Sequence, residues 1–156
     1  HKANLIHLNL KPENILLTEE KHVKISDTGF SKIEETKIDM LGLSTLRFTA
    51  PELLNDNDKK VSQKVDVFSF SFVAFFVLTK GKYPRLTIDD VLDKKKVEIP
   101  ESINKTSKEL IERCMAENPD DRMSFGEIIE YIKNNNFKLI DGIDGEIDQI
   151  KKFLSI

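Results

Sequence analysis

Polar side chains that could handle a phosphate group or a cation lie together in one short loop near the start of the chain. Asn9, Lys11 and Asn14 fall in this loop, and apolar residues 5–6 and 15–17 flank it. This pattern predicts a loop held between two short buried strands. Catalytic and binding groups are usually placed on loops that rigid elements hold in position, so this loop is the first candidate site.

A carboxylate that could take part in the same chemistry follows a second strand-like run. Residues 22–26 form that run, Asp27 comes directly after it, and Gly29 follows two positions later. Glycine frees the backbone beside the carboxylate, and hard cations prefer oxygen ligands. Asp27 is therefore a candidate position for a cation or a phosphate. A turn at residues 19–20 is predicted to join this run to the strand before it.

Five segments, taken in order, resemble motifs of the protein kinase family. Residues 7–14 read His-Leu-Asn-Leu-Lys-Pro-Glu-Asn and resemble the catalytic loop His-Arg-Asp-Leu-Lys-Pro-Glu-Asn. Asp27-Thr28-Gly29 resembles the Asp-Phe-Gly motif of the family. The other three segments resemble the end of the activation segment, the start of the central helix of the large lobe and a turn near the end of the domain: residues 49–52, 64–70 and 118–122.

The resemblance covers residues 1–135 and implies a fold class. That class is α+β and mainly α-helical: the large, C-terminal lobe of a protein kinase of the Ser/Thr-type or tyrosine-kinase-like branch, with short β-hairpins near the N-terminus. Residues 136–156 lie outside the resemblance, and apolar residues at helical spacing predict a tail helix there. That helix would either pack back on the lobe or bind a partner.

The resemblance assigns roles around ATP and Mg²⁺ to individual residues. Lys11 would steady the transferring phosphate, and Asn14 and Asp27 would hold Mg²⁺ through oxygen atoms. Leu16 would form the apolar floor beneath the adenine ring, and Thr45 would position the loop. Simpler interpretations stay open: Lys11 as a solvated charge, Asn14 as a turn former and Leu16 as a core residue.

Four further residues match positions with structural roles in the family. His7 opens the catalytic-loop motif. Asp66 would accept backbone hydrogen bonds from that loop, and the simpler alternative is a first-turn acid that compensates the helix dipole. Glu52 and Arg122 would form an ion pair that braces the activation segment, so we expect the two side chains within salt-bridge distance.

Three positions depart from the motifs of the family. Asn9 stands where the family has its catalytic Asp, Leu8 replaces the neighbouring Arg, and Thr28 replaces the Phe of Asp-Phe-Gly. An Asn amide can accept a hydrogen bond but is not basic near neutral pH, and a positioned base contributes about 10²–10⁴-fold to a rate. Leu8 cannot bind a phosphate group, so no phosphorylation switch of the usual kind is expected in residues 27–52.

The small lobe of the family is predicted to be absent from this chain, because only six residues precede His7. That lobe supplies most nucleotide contacts in the family, so the phosphates would be held on one side only. The helix that precedes the catalytic loop in the family would be absent as well. An exposed aromatic surface is then expected on the helix predicted near residues 65–78. Its members are Phe68, Phe70, Phe72, Phe75 and Phe76.

The sequence thus predicts a folded, catalytically impaired descendant of a Ser/Thr protein kinase that transferred phosphate from ATP to a protein hydroxyl. Such a chain would act as a binding or scaffold module. Two alternatives remain: an active Ser/Thr protein kinase represented only by its C-terminal part, and a truncated reading frame without independent function. The implied cofactors are ATP and Mg²⁺, and the implied partner is a protein substrate or another protein.

The amino-acid composition limits the partners and the cellular location that are expected for this chain. The 156 residues include 24 basic and 27 acidic side chains, which gives no electrostatic footprint for nucleic acid. The longest apolar stretch, residues 65–78, is shorter than a membrane span, so no membrane partner is expected. The single cysteine, Cys114, excludes an internal disulfide and fits a reducing compartment, so a cytoplasmic location is expected. Cys114 itself is predicted to be a buried small hydrophobe.

Residues 62–79 fit either an alternating strand or an all-round apolar helix, and their length favours a buried helix with Ser62 as its N-cap and Gly81 and Pro84 as its stop. Capping-box spacings predict three later helices. These open at Thr87 with Asp90, at Thr106 with Glu109 and at Ser124 with Glu127, and they end near Lys95, Glu117 and Lys133, with Asn118-Pro119 between the last two.

Overall fold

The computed structural model describes residues 5–20, 22–27, 46–54 and 61–135. The predicted roles of Thr28 and Thr45 and the predicted tail helix of residues 136–156 lie outside the described residues. The described part is mainly helical with one small sheet, as predicted. Its elements are a 3₁₀ turn Pro12–Asn14, β1 (Ile15–Leu17), β2 (Val23–Ile25), a 3₁₀ turn Pro51–Leu53, α1 (Lys64–Leu78), α2 (Ile88–Leu92), α3 (Lys105–Cys114), a 3₁₀ turn Pro119–Asp121 and α4 (Phe125–Asn134).

The two strands form an antiparallel hairpin in which Leu16 pairs with Lys24. This confirms the predicted turn between the strands. The prediction that residues 15–17 would form a buried strand is wrong, because Leu16 and Leu17 are 52% and 71% exposed and Ile15 is only half-buried. Strand β2 is exposed throughout. Among the described elements, the two strands pack mainly on each other, which leaves their apolar side chains open. The strand expected at residues 5–6 is absent, and Leu5 is exposed.

Helix α1 confirms the helical interpretation of the long apolar run. It begins at Lys64, two residues after the predicted cap, with Gln63 at the N-cap position and the Ser62 hydroxyl accepting from the Lys64 N–H. It ends at Leu78. Three residues later, Gly81 adopts φ +88° and donates its N–H to the Phe76 carbonyl. Glycine takes this left-handed conformation without a Cβ clash, so the predicted stop is confirmed.

The prediction of an uncovered aromatic surface on α1 is wrong. Phe68, Phe72 and Phe75 are buried, and Phe70 and Phe76 are half-buried. The helix is apolar on nearly all sides and lies between two buried clusters, so its rings are covered by the other described segments. One cluster adds Phe48, Ala50, Val97, Ile103 and Ile111, and the other consists of Val67, Leu110, Cys114, Met123 and Ile128.

The capping boxes predicted for α2 and α4 are confirmed. The hydroxyls of Thr87 and Ser124 accept the N–H three residues on, and their own N–H groups donate to the carboxylates of Asp90 and Glu127. Helix α2 ends at Leu92 instead of Lys95 because Lys94 takes a left-handed φ of 55°. A left-handed residue at this place terminates a helix.

The cap predicted for α3 at Thr106 is wrong. Asn104 caps the helix instead, with its Oδ1 accepting from the Ser107 N–H at 2.9 Å, and the helix ends at Cys114. Asn is at least as good a cap as Thr. Cys114 is fully buried, as predicted, and burial raises the pKa of its thiol to about 12. Within the described residues, no helix has both the length and the apolar content needed to cross a bilayer.

Candidate active site

The candidate loop is anchored to α1 by a buried carboxylate. Asp66, 2% exposed in the first turn of α1, accepts the backbone N–H groups of His7 at 2.8 Å and of Leu8 at 2.9 Å. Hydrogen bonds to an ionised acceptor are the stronger class. Asp66 therefore fixes the loop backbone on the core helix, which is the contact expected from the resemblance.

Leu8 holds an unusual backbone conformation within this anchor. Its φ is +66°, a region that costs a bulky residue about 1–3 kcal/mol unless the surroundings impose it. The two hydrogen bonds to Asp66 impose it here, and the Leu8 side chain packs against the aromatic cluster around Phe72. An apolar side chain thus contacts the core at the position where the family has an Arg.

His7 ties the loop to the end of β2. Its Nδ1 accepts the backbone N–H of Asn9 at 3.2 Å, which requires the proton on Nε2. Nε2 lies 3.1 Å from the Ser26 carbonyl and donates to it. The imidazole therefore links the loop to the residue just before Asp27.

Hydrogen bonds bring Asn9, Asn14 and Asp27 together, although 18 residues separate the first and the last. The Asn14 Nδ2 donates to the Asn9 carbonyl at 2.8 Å, and the Asn9 Nδ2 donates to the Asp27 carbonyl at 3.2 Å. The Ser26 N–H donates to the Asn14 carbonyl at 2.9 Å. Asn14 is 5% exposed, so this amide is a buried hub between the loop and β2.

The donor set of this cluster fits a hard cation. With its Nδ2 used, Asn14 keeps a neutral amide oxygen, and Asp27 contributes an exposed carboxylate at a φ of 57°, which Asp tolerates better than most residues. Mg²⁺ commonly takes one or two protein oxygens and completes its shell with water and phosphate. No group of three or more His, Cys, Asp and Glu side chains forms a denser metal site in the described part of the chain.

The two remaining predicted residues border the same cluster. Lys11 is half-buried and precedes the turn Pro12–Asn14, where its carbonyl accepts the Asn14 N–H at 3.0 Å. Leu16 lies on β1 and is 52% exposed, so it is not the core residue of the simpler interpretation. An exposed Leu at this place is available to contact an apolar ligand face.

The predicted ion pair between Glu52 and Arg122 is formed and buried. The guanidinium donates to both carboxylate oxygens, at 2.7 and 2.8 Å, and the exposed side-chain fractions are 7% for Glu52 and 0% for Arg122. The remaining donors of Arg122 reach three backbone carbonyls, and its charge lies 5.0 Å from the Phe68 ring centroid. The bidentate pair joins the turn Pro51–Leu53 to Arg122, which lies between the turn Pro119–Asp121 and α4.

A second long-range hydrogen bond lies beside the loop, and no sequence pattern predicted it. The Tyr83 hydroxyl donates to Glu13 Oε1 at 2.8 Å, and the Arg47 guanidinium lies 4.7 Å from the Tyr83 ring centroid. Desolvation first, and the Glu13 carboxylate next, raise the pKa of Tyr83 to about 12. Residues 13 and 83 are 70 positions apart, so no local pattern could have paired them.

Comparison with known proteins identifies the class to which this fold and cluster belong. Residues 1–132 match the protein kinase domain. The match spans more than half of the chain, and the chain therefore belongs to the protein kinase family. Members of this family generally use ATP and Mg²⁺ and act on protein substrates.

Individual relatives are Ser/Thr and dual-specificity kinases. The chain is 33% identical over 150 residues to a probable serine/threonine-protein kinase of Dictyostelium discoideum, covering 90% of this chain and 10% of the relative. It is 36% identical over 139 residues to the dual specificity protein kinase shkB of the same organism, covering 82% and 21%. It is 31% identical over 150 residues to the serine/threonine/tyrosine-protein kinase HT1 of Arabidopsis thaliana, covering 92% and 38%. The chain therefore spans well under half the length of these relatives.

Proposed function

We propose that this chain is the large lobe of a Ser/Thr-type protein kinase whose phosphotransfer step is impaired and which acts as a binding or scaffold module for protein partners. The observation that carries the proposal is Asn9, an amide at the position of the proton acceptor. Because the chain belongs to the protein kinase family, a base is expected at position 9. The local hydrogen bonds instead support a structural role for the Asn9 amide.

The amide of Asn9 is suited to its neighbours in a way that a carboxylate is not. Its Nδ2 donates to the Asp27 carbonyl, and an ionised Asp has no proton to donate. The amide oxygen can orient a hydroxyl by accepting its hydrogen bond, but it cannot take the proton. Losing a positioned base lowers a rate by about 10²–10⁴-fold.

Among the described residues, the carboxylates of Glu13 and Asp27 are not suited to replace that base. Glu13 is nearest along the loop, and its Oε1 accepts the Tyr83 hydroxyl at 2.8 Å. Asp27 would be a ligand of Mg²⁺, which withdraws its lone pairs from proton transfer. The cluster therefore supports holding a phosphate more than moving a proton.

Nucleotide binding is a separate part of the proposal. The Asn14 amide oxygen and the Asp27 carboxylate would hold Mg²⁺, Lys11 would approach the phosphates, and Leu16 would contact the adenine ring. When bound, ATP would bring the phosphoryl group and the metal would neutralise its charge. Asp66 supports this role because it fixes the backbone of the loop.

Restoring the carboxylate tests the impairment. Asn9→Asp is made in the full-length protein, and ATP-dependent phosphorylation of a generic protein substrate is measured. We expect the unaltered protein near background and the variant at least about a hundredfold faster. The matched control is Asn104→Asp, which makes the same change at the α3 cap, where Asp caps as well as Asn. Equal activity of the unaltered protein and the Asn9→Asp variant would refute the proposal.

A second candidate function is that of an active Ser/Thr protein kinase of which this chain is the C-terminal part, and the names of the relatives favour it. A thermal-shift titration with ATP and Mg²⁺ addresses the shared step, because a ligand of the folded state raises the unfolding midpoint. An active kinase requires both a midpoint shift and turnover by the unaltered protein. A scaffold that retains nucleotide gives the shift alone, and a truncated reading frame without function gives neither.

A further inference from the structure

A cavity of about 420 Å³ is lined by residues outside the candidate loop, and these take no part in the proposed function. Four segments line it: residues 47–54, α1, the stretch from Leu86 to Ile99, and the end of α3 with the residues after it. Pockets that accept small molecules measure about 300–1,000 Å³. The cavity therefore has the size of a ligand site.

The lining changes character from the bottom of the cavity to its mouth. Phe68, Phe72 and Val97 are buried and form the bottom, at 8%, 3% and 8% exposure. Half-buried aliphatic and thioether side chains form the walls, and these are Leu54, Leu86, Val91, Ile99 and Met115. This gradient suits a ligand with a flexible apolar chain, since Met and aliphatic side chains adapt to such a chain.

The mouth of the cavity is positively charged. Arg47 and three consecutive lysines line it together with Glu112 and Glu117, and the Asp90 carboxylate is paired with Lys95, so the four cations exceed these three carboxylates by one charge. Lys94 is paired with Glu117 at 2.6 Å, and Lys95 is paired with Asp90 at 2.9 Å. Lys96 is exposed and has no ion-pair partner in the part of the chain that the structure describes. Its ammonium is the cation available to an incoming anion.

We propose that this cavity binds a single-chain amphiphile with one anionic head group, a fatty carboxylate. The alkyl chain would lie against Phe72 and Val97, and the carboxylate would pair with Lys96 at the mouth. Peptides use an open sheet edge or a groove along a helix, whereas the lining of this cavity comes from four separate segments and combines a buried apolar bottom with cationic side chains. The apolar bottom and the cationic mouth complement the two ends of the ligand.

Isothermal titration of the full 156-residue chain with dodecanoate, kept below its micelle concentration, tests the site. We expect one dodecanoate to bind per chain. Butanoate lacks the apolar chain, and dodecyltrimethylammonium carries the opposite charge, so both should bind at least about tenfold more weakly. Equal affinity for dodecanoate and the cationic amphiphile would overturn the proposal, because it would show that the head group is not recognised.

Two variants with matched controls locate the site. Val91→Phe places an aromatic ring in the wall and should weaken dodecanoate about tenfold or more, whereas Ile129→Phe on α4 introduces the same ring at an exposed position outside the cavity. Lys96→Glu should weaken it about tenfold by charge reversal, whereas Lys105→Glu makes that reversal on an exposed residue of α3. Lys96 is exposed, so its variant keeps the fold even where Val91→Phe does not.

Variants that bind dodecanoate as the unaltered chain does would refute the site. A synthetic peptide of residues 136–156 is then tested as a competitor of dodecanoate. If the peptide displaces dodecanoate and binds with higher affinity, the ligand class is refuted, because the chain's own tail is the better occupant. Neither outcome bears on the proposed kinase-like function, because the variants leave Asn9, Asn14 and Asp27 unchanged.

Discussion

Replacing Glu52 with Gln removes the negative charge from a buried ion pair while keeping the shape of the side chain. Arg122 would keep its charge at 0% side-chain exposure, and its three carbonyl contacts cannot neutralise that charge. Breaking one side of a buried pair costs about 3–5 kcal/mol. For a chain of this length, that loss corresponds to a fall of about 10 °C in the unfolding midpoint.

Urea unfolding followed by circular dichroism at pH 7 measures this change, since the helices supply the signal. The matched control is Glu130→Gln, which breaks the exposed pair with Lys133, where the side chains are 66% and 43% exposed. Exposed pairs contribute about 0–1 kcal/mol. We therefore expect the Glu52 variant to lose several times more unfolding free energy than the Glu130 variant.

A double-mutant cycle separates the ion pair from the loss of other contacts. Glu52→Gln combined with Arg122→Met removes both charges, so the double variant should be more stable than the sum of the single losses implies. A Glu52→Gln loss below about 1 kcal/mol, or equal to that of Glu130→Gln, would show that the buried charge is already compensated by its surroundings. The conclusion that this ion pair joins the end of the predicted activation segment to the helices near Arg122 would then be wrong.

Three further predictions concern the anchor, the thiol and a cap. Asp66→Asn weakens the charged acceptor of the His7 and Leu8 N–H groups, so we expect a loss of about 1.5–3 kcal/mol and faster amide hydrogen exchange at both residues, and unchanged exchange would contradict the anchor. Cys114 should resist thiol reagents in the native chain and react after unfolding. Its pKa is raised from 9.0 to about 12 in the fold, so the folded chain keeps a proton that the unfolded chain releases, and unfolding free energy should fall as pH rises above about 9. Ser124→Ala removes one half of a capping box and should cost about 1 kcal/mol in urea unfolding, whereas Ser62→Ala, which removes only one longer bond of 3.3 Å from the Lys64 N–H, should cost less.

The amino-acid sequence determined the features that depend on neighbours along the chain. Features of this kind depend on a few neighbouring residues, so side-chain chemistry predicts them. They are the hairpin turn, the caps at Thr87 and Ser124 and the helix stop at Gly81. The pair formed by Glu52 and Arg122 is long-range, and it could be expected only because the spacing of whole motifs resembles the kinase family.

Tertiary structure decided what local chemistry leaves open. Thr106 and Asn104 are both competent caps, and the folded chain uses Asn104. Packing also covers the aromatic rings of α1, which the sequence analysis predicted to be exposed. The bonds from Asn9 to Asp27 and from Tyr83 to Glu13, and the cavity with Lys96 at its mouth, likewise exist only in the folded chain. They join residues far apart in sequence, and such contacts depend on how the elements pack together, which no local pattern specifies.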